Sequence, residues 1–223
     1  MKKKLFAGML ASATVLGMFV AGGTVLATEV DTVDTEVGIG FSDHIPGTKP
    51  GPLKIQWAPI SLDFKNDNQV NTATHNFAEK SGKNRYVVIS DERTTATPGD
   101  NVWKLTAALS DLENATATEQ LTGATLKFNA ALQGFQGTDA PEAPGSVVAP
   151  GARTADIGVA AKSIAAGAPA TQMMEDGTTG TADAFQGKSA MEMTGINLEV
   201  PASAAKEGVQ YKGTLTWSLD DTI

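Results

Sequence analysis

The strongest signal along the chain is a period of two. Val37, Ile39 and Phe41 alternate with smaller residues, as do Leu53, Ile55 and Trp57, then Ile60, Leu62 and Phe64 after Pro59. Such spacing sends one set of side chains to one face of a half-buried strand. Tyr86-Val87-Val88-Ile89 is an apolar, β-branched run. Trp103, Leu105 and Ala107 alternate, and so do Ala124, Leu126 and Phe128. Further on, Met191 with Met193, then Ile196, Leu198 and Val200, then Tyr211, Gly213, Leu215, Trp217 and Leu219 predict three more strands. Turn clusters such as Thr95 to Asn101 separate these runs. Many short strands divided by turns predict an all-β fold, an antiparallel β-sandwich or a Greek-key-like arrangement.

Three stretches lack the pattern. Residues 28–36 are acidic and are expected to be mobile beside a newly cut N-terminus. Pro46 to Pro52 is rich in Pro and Gly and reads as an extended connector. From Gly134 to Ala190 the chain is mostly Ala, Gly, Pro, Ser and Thr. Val147-Val148 and Ile157-Gly158-Val159 are candidate short strands there, and Ala160 to Ala166 a candidate for one or two helical turns. The stretch reads as long Ala/Gly/Thr-rich loops over the sheet, or as a poorly ordered insertion.

The first residues follow another rule. Lys2, Lys3 and Lys4 precede an uncharged apolar run from Leu5 to Leu26, which ends in Val25-Leu26-Ala27. This layout predicts a secretory signal peptide over 1–27. A membrane anchor is the alternative, because the run is about long enough to span a bilayer. The glycines that dilute it and the cleavage site that follows favour removal. The expected organisation is a signal peptide at 1–27, an acidic segment with a first strand and the connector at 28–52, and a β domain at 53–223.

Charge and composition narrow the function. Across 223 residues, 17 Lys and Arg face 25 Asp and Glu, a formal charge of −8. Cleavage removes three lysines and leaves 14 cations against 25 anions, or −11. An acidic chain argues against nucleic acid, whose phosphates need a basic face. With no cysteine, there is no disulfide framework, no thiolate metal site and no cysteine nucleophile. A chain of this size buries enough surface to do without disulfides.

Catalytic signatures are absent or fail in context. His44 and His75 are the only histidines, and two isolated ones make no zinc site, so both read as solvated loop residues. There is no Gly-x-Ser-x-Gly elbow. Ala182 to Ser189 fits a relaxed phosphate-loop pattern, but a phosphate loop follows a buried strand and opens a helix. Here Glu175 to Thr181 is no buried strand, and the following residues read as a strand. The pairs Asp91-Glu92, Glu175-Asp176 and Asp220-Asp221 point to opposite strand faces and form no glycosidase pair by themselves. Asn66-Asp67-Asn68 lacks the spacing of a calcium loop. These residues predict no enzyme, no cofactor and no metal. Lys80, Lys83 and Arg85 form the best basic patch, read either as a contact for anions or as a solvated loop.

Two segments resemble each other: Trp103-Lys104-Leu105 and Trp217-Ser218-Leu219 both fall in alternating runs. With Val88 to Arg93 before the first, and Leu198-Glu199-Val200-Pro201 and Tyr211 to Thr216 before the second, the chain resembles the WxL-domain cell-surface proteins of Gram-positive bacteria. The likeness extends from about Val37 to Ile223. Leu53 to Phe64 resembles the family's early strand pair, which often has Gly after the Phe where this chain has Lys65. Gly180 to Gly187 resembles a segment in which many members carry a Trp and this chain has Ala182. The resemblance implies secretion and non-covalent attachment to the cell wall, through peptidoglycan or another wall polymer. It also implies partnership with other WxL proteins and with membrane-anchored WxL-interacting proteins, in a scaffold or display role. The chain shows no Leu-Pro-x-Thr-Gly signal, so covalent sortase anchoring is not expected. An adhesin or assembly subunit that binds partner or host proteins is the rival reading, and a wall-degrading glycosidase the weaker one.

Trp103, Leu105, Trp217, Leu219 and Tyr211 are the motif residues the resemblance singles out for binding. Trp103 and Trp217 stack on sugar rings or peptide, fill the core, or combine the two with the indole edge exposed in a groove. Their apolar neighbours at period two favour the core.

Overall fold

A computed structural model describes residues 29–37, 43–94, 101–152, 154–177 and 187–221. The described chain is nearly all strand. In order these are β1 (Glu29–Val37), β2 (His44–Pro46), β3 (Leu53–Pro59), β4 (His75–Ala78), β5 (Arg85–Asp91), β6 (Trp103–Leu109) and β7 (Thr125–Phe135). There follow β8 (Val147–Val148), a 3₁₀ turn at Thr154–Asp156, β9 (Gly158–Val159), β10 (Ser163–Ala165), β11 (Thr171–Asp176), β12 (Gly187–Val200) and β13 (Gly213–Asp220).

The strands form two antiparallel sheets. One runs β1-β13-β6-β11-β9 and the other β10-β7-β12-β5-β3-β2, with β4 added to β12 and β8 to β7. The architecture is the expected all-β sandwich. Sequence-distant strands lie side by side, so the sheets close the chain on itself: β1 pairs with β13, and β12 lies between β5 and β7. The core between the sheets takes the inward set of each alternating run. Ile55, Val87, Ile89, Leu126, Met191 and Leu215 are fully enclosed there.

Several strands break their own alternation, and these breaks shape the molecule. In β12 the register shifts between Thr194 and Asn197, where Gly195 has φ +58°. A left-handed glycine resets the pleat, so Met191 and Met193 and then Ile196, Leu198 and Val200 all face inward. The two strands expected here are therefore one. A shift in β3 between Ile55 and Trp57 turns Trp57 away from Ile55. Trp57 packs instead with Tyr86, Val88, Phe135, Val147 and Ala190 in a small second cluster. A third shift, in β11, buries the adjacent Met173 and Met174 together.

Other expectations need correction. The acidic segment expected to be mobile is β1, an edge strand that pairs along β13. Its inward positions, Asp31, Val33 and Thr35, are buried, and Asp31 Oδ2 accepts the Ile55 N–H at 2.6 Å. Polar side chains with partners inside the fold replace the apolar pattern that would have marked a strand. Ile60, Leu62 and Phe64 form no strand beyond a bridge at Ser61, although Leu62 and Phe64 are buried. Ala160 to Ala166 is not helical: β10 lies extended against β7, with Ile164 buried. The Ala- and Gly-rich stretch supplies strands β8 to β11 and leads into β12, rather than loops alone. Ile39, Phe41, the leader at 1–27 and the Gly180 to Gln186 segment lie outside the described residues. Gly187 to Ser189 opens a strand, which removes the helix a phosphate loop requires.

Within the Pro/Gly connector, Gly47 fixes how closely the chain returns. Its N–H bonds the Gln56 carbonyl at 3.0 Å, and a Cβ on Gly47 would lie 1.7 Å from the Ile55 carbonyl oxygen. That neighbour is backbone and cannot swing aside. Gly47→Ala is expected to destabilise the protein by about 1–3 kcal/mol, read as a lower urea midpoint with an unchanged slope. An unchanged midpoint would show that this approach does not constrain the fold.

Candidate functional site

Four of the five motif residues are internal. Trp103 and Trp217 are 1% and 0% exposed, and Leu105 and Leu219 are 0% exposed. β13 and β6 lie side by side, with Leu219 opposite Leu105 and Trp217 opposite Ala107. The small Ala107 leaves room for the large indole beside it. Trp217 Nε1 donates to Thr35 Oγ1 of β1 at 2.8 Å, so the one polar atom of that ring is satisfied inside the core. The Trp103 N–H has no acceptor among the described residues. Removing a buried Trp side chain costs about 3–5 kcal/mol. That is comparable with much of a domain's total stability, about 5–15 kcal/mol. Loss of binding in a Trp→Ala variant would therefore report unfolding.

The acidic-basic pair ahead of the first motif is structural too. Arg93 grips the buried Asp91 with two bonds of 3.0 and 2.8 Å, and its Nη2 also donates to the Asn101 and Val102 carbonyls at 2.7 and 3.2 Å. This ties the end of β5 to the start of β6 just before Trp103.

The expected basic patch is neutralised within the protein. Arg85 is buried and pairs with Glu79 at 3.1 Å and with Asp43; Lys83 pairs with Asp43 at 2.9 Å, and Lys80 with Asp63 at 3.3 Å. Burial raises the Asp43 carboxyl, but hydrogen bonds from Arg85 and Lys83 outweigh this and leave it below the usual carboxylate range.

His44 is not the solvated loop residue expected. It begins β2, and its side chain is enclosed. Nδ1 bonds the Glu142 carboxylate, and Nε2 accepts the Tyr86 N–H at 2.8 Å. The neutral ring thus pins β2, β5 and the loop before β8 together, with neither nitrogen left for a substrate proton. His75 is exposed on β4, edge-on to Phe77 at 4.8 Å.

Tyr211 differs from the other motif residues. It is half-buried and lines a groove of about 620 Å³ between residues 62–70 and 205–212. Phe64, Phe77, Leu198, Val200 and Tyr211 give the groove an apolar floor. Asn66, Asn68, Gln69 and Gln210 bring amides to it, Lys65, Lys206 and Lys212 bring cations, and Asp63 and Glu207 bring carboxylates. Val70, the exposed large apolar side chain among the described residues, lies here as well.

Both walls are braced from within. The Asp63 carboxylate takes the Lys65 N–H at 2.7 Å, and Asn68 Nδ2 donates to the Phe64 carbonyl at 2.6 Å. Across the groove, Tyr211 Oη accepts the Lys206 N–H at 3.1 Å, and Lys212 exchanges two backbone bonds of 2.8 Å with Glu113. The Ser203 N–H reaches the Asn71 carbonyl at 3.1 Å and links the two walls. Lys65, where the resembled family often has Gly, has φ +69°. A side chain in that left-handed region is strained. Sequence reading missed this groove because its apolar floor comes from segments far apart in the chain and its polar rim from loops without a motif. Tyr211 beside the second Trp-x-Leu was the single pointer.

Residues 34–222 match one protein-family model, that of the WxL domain, described as surface cell wall-binding. No curated protein and no solved structure matches the chain.

Burial holds the His44 imidazole below its ordinary value, against the raising effect of Glu142 and with Arg85 adding to the lowering. The unfolded chain therefore takes up this proton first. The contribution of neutral His44 to stability is complete above pH 6.5 and is lost as pH falls from there through the lowered folded value. Urea midpoints at pH 7.5 and 5.5 are expected to fall more in the native protein than in His44→Gln. Equal falls would contradict a buried neutral His44.

Proposed function

The chain belongs to the WxL family of surface cell wall-binding domains, and on that premise we propose that it is exported, attaches non-covalently to peptidoglycan, and serves there as a scaffold or display component without a catalytic step. The family match over 34–222 carries the reading. The engaged ring nitrogens of His44 and the internal pairing of Arg85 support a binding role over hydrolysis, since they leave no free base–acid pair at either place. The charge of −11 expected after cleavage opposes general electrostatic adhesion to an anionic wall. Attachment therefore rests on local hydrogen bonds, apolar contact and a few cations. Other WxL proteins and membrane-anchored WxL-interacting proteins are its proposed partners once it is on the wall.

Purified mature protein is expected to sediment with isolated sacculi and to remain bound when salt is raised. Protein left in the supernatant at all salt concentrations would contradict the proposal. Retention by an immobilised WxL-interacting protein with none on sacculi would transfer the role to an assembly subunit.

A further inference from the structure

Wall attachment needs a contact surface, and the two tryptophans cannot provide it. The groove at Tyr211 is a concave surface among the described residues, and its size is informative. A cavity of about 620 Å³ falls within the range of small-ligand sites, about 300–1,000 Å³. A protein partner of ordinary affinity covers about 800 Å² of a much flatter face. The groove therefore suits a short segment of polymer better than a folded partner.

Its chemistry narrows the ligand further. Side-chain amides offer a donor and an acceptor together, which matches the N–H and C=O of an acetamido group. The apolar floor suits acetamido methyls and the C–H faces of sugar rings. The charges are uneven once internal pairs are set aside. Asp63 is held by its own loop and by Lys80, and Lys206 pairs with Glu119. Lys65 and Lys212 enter no ion pair among the described residues, and Glu207 is the remaining carboxylate of the groove lining. An excess of cation on so acidic a protein points to a ligand that carries carboxylate.

We infer that this groove is where the protein holds the wall, and that it takes an N-acetylated amino-sugar segment bearing a carboxylate arm. The inference rests on the reading of wall attachment given above. Lys65 is its most telling residue. Glycine would relieve the backbone at φ +69°, yet the chain keeps an exposed lysine there, in the lining of the groove.

That strain permits a test in which stability and binding move in opposite directions. Lys65→Gly is expected to raise the urea midpoint and weaken sedimentation with sacculi about threefold to fivefold, the range of one partly exposed charge contact. Lys65→Gly with Lys212→Gln is expected to weaken it about tenfold or more. Lys162→Gln removes an exposed cation elsewhere and is expected to sediment like the native protein. A soluble disaccharide muropeptide is expected to displace the native protein, and neutral chitotetraose to do so much less well. Native binding by both Lys65 variants would overturn the groove assignment and leave wall attachment standing. Equal displacement by chitotetraose would overturn the carboxylate requirement. Displacement by the free stem peptide alone, as effective as the muropeptide, would overturn the sugar. Failure of the native protein to sediment would strike the proposed function itself.

Discussion

Trp217 is held from two directions, by the apolar core beneath it and by the hydroxyl of Thr35 on the next strand. The remainder of the fold follows from that constraint. A chain with 6% aromatic residues has few side chains large enough to fill a sandwich, so two tryptophans on adjacent strands define much of its interior. Trp217 has the small Ala107 opposite it, and the paired Leu105 and Leu219 continue the same apolar layer. An unpaired buried donor costs about 1–3 kcal/mol, a cost that the Trp217 N–H escapes and the Trp103 N–H, without an acceptor among the described residues, does not. β1 provides the acceptor for Trp217, which brings an acidic segment into the sheet and makes the N-terminal and C-terminal strands neighbours. Asp31 extends the same strand's reach to the other sheet through the Ile55 amide.

With the signature residues committed to the interior, the surface has to carry recognition. Several charges there pair within the protein. Arg85, Lys83 and Asp43 brace the start of β2, Arg93 braces the entry to β6, and His44 and Glu142 pin the loop beyond β7. The groove beside Tyr211 is a surface where groups suited to recognition lie together. It combines exposed apolar surface, side-chain amides and two cations without ion-pair partners among the described residues, one of them the strained Lys65, inside walls braced by hydrogen bonds. Such pre-ordering lowers the cost of binding a flexible polymer. One motif region thus does two things: its Trp and Leu build the core, while Tyr211, a few residues earlier, opens onto solvent.

The alternation of Leu53 and Ile55, Trp103 to Ala107, and Leu215 to Leu219 made the sandwich legible in sequence, because each inward position is apolar. β1 was not legible, because Asp31 and Thr35 earn their burial through hydrogen bonds that no hydropathy pattern records. β11 was hidden by its bulge, which buries Met173 and Met174 consecutively and so erases the period of two. Gly195 had the opposite effect and made one strand look like two. His44 looked like a loop residue because its partners, Glu142 and the Tyr86 amide, are distant in sequence. For the candidate site, the paired motif identified the family but drew attention to residues that prove to be internal. The groove floor is assembled from separated segments, and only tertiary structure brings Phe64, Phe77, Leu198 and Tyr211 together.

Tryptophan fluorescence of Trp57→Phe tests the central claim most directly, because the emission that remains comes from Trp103 and Trp217. The account predicts blue-shifted emission, insensitive to iodide and unchanged when the protein binds sacculi. Red-shifted emission that iodide quenches in the free protein, and that the wall then protects, would place those tryptophans at the contact surface and contradict it.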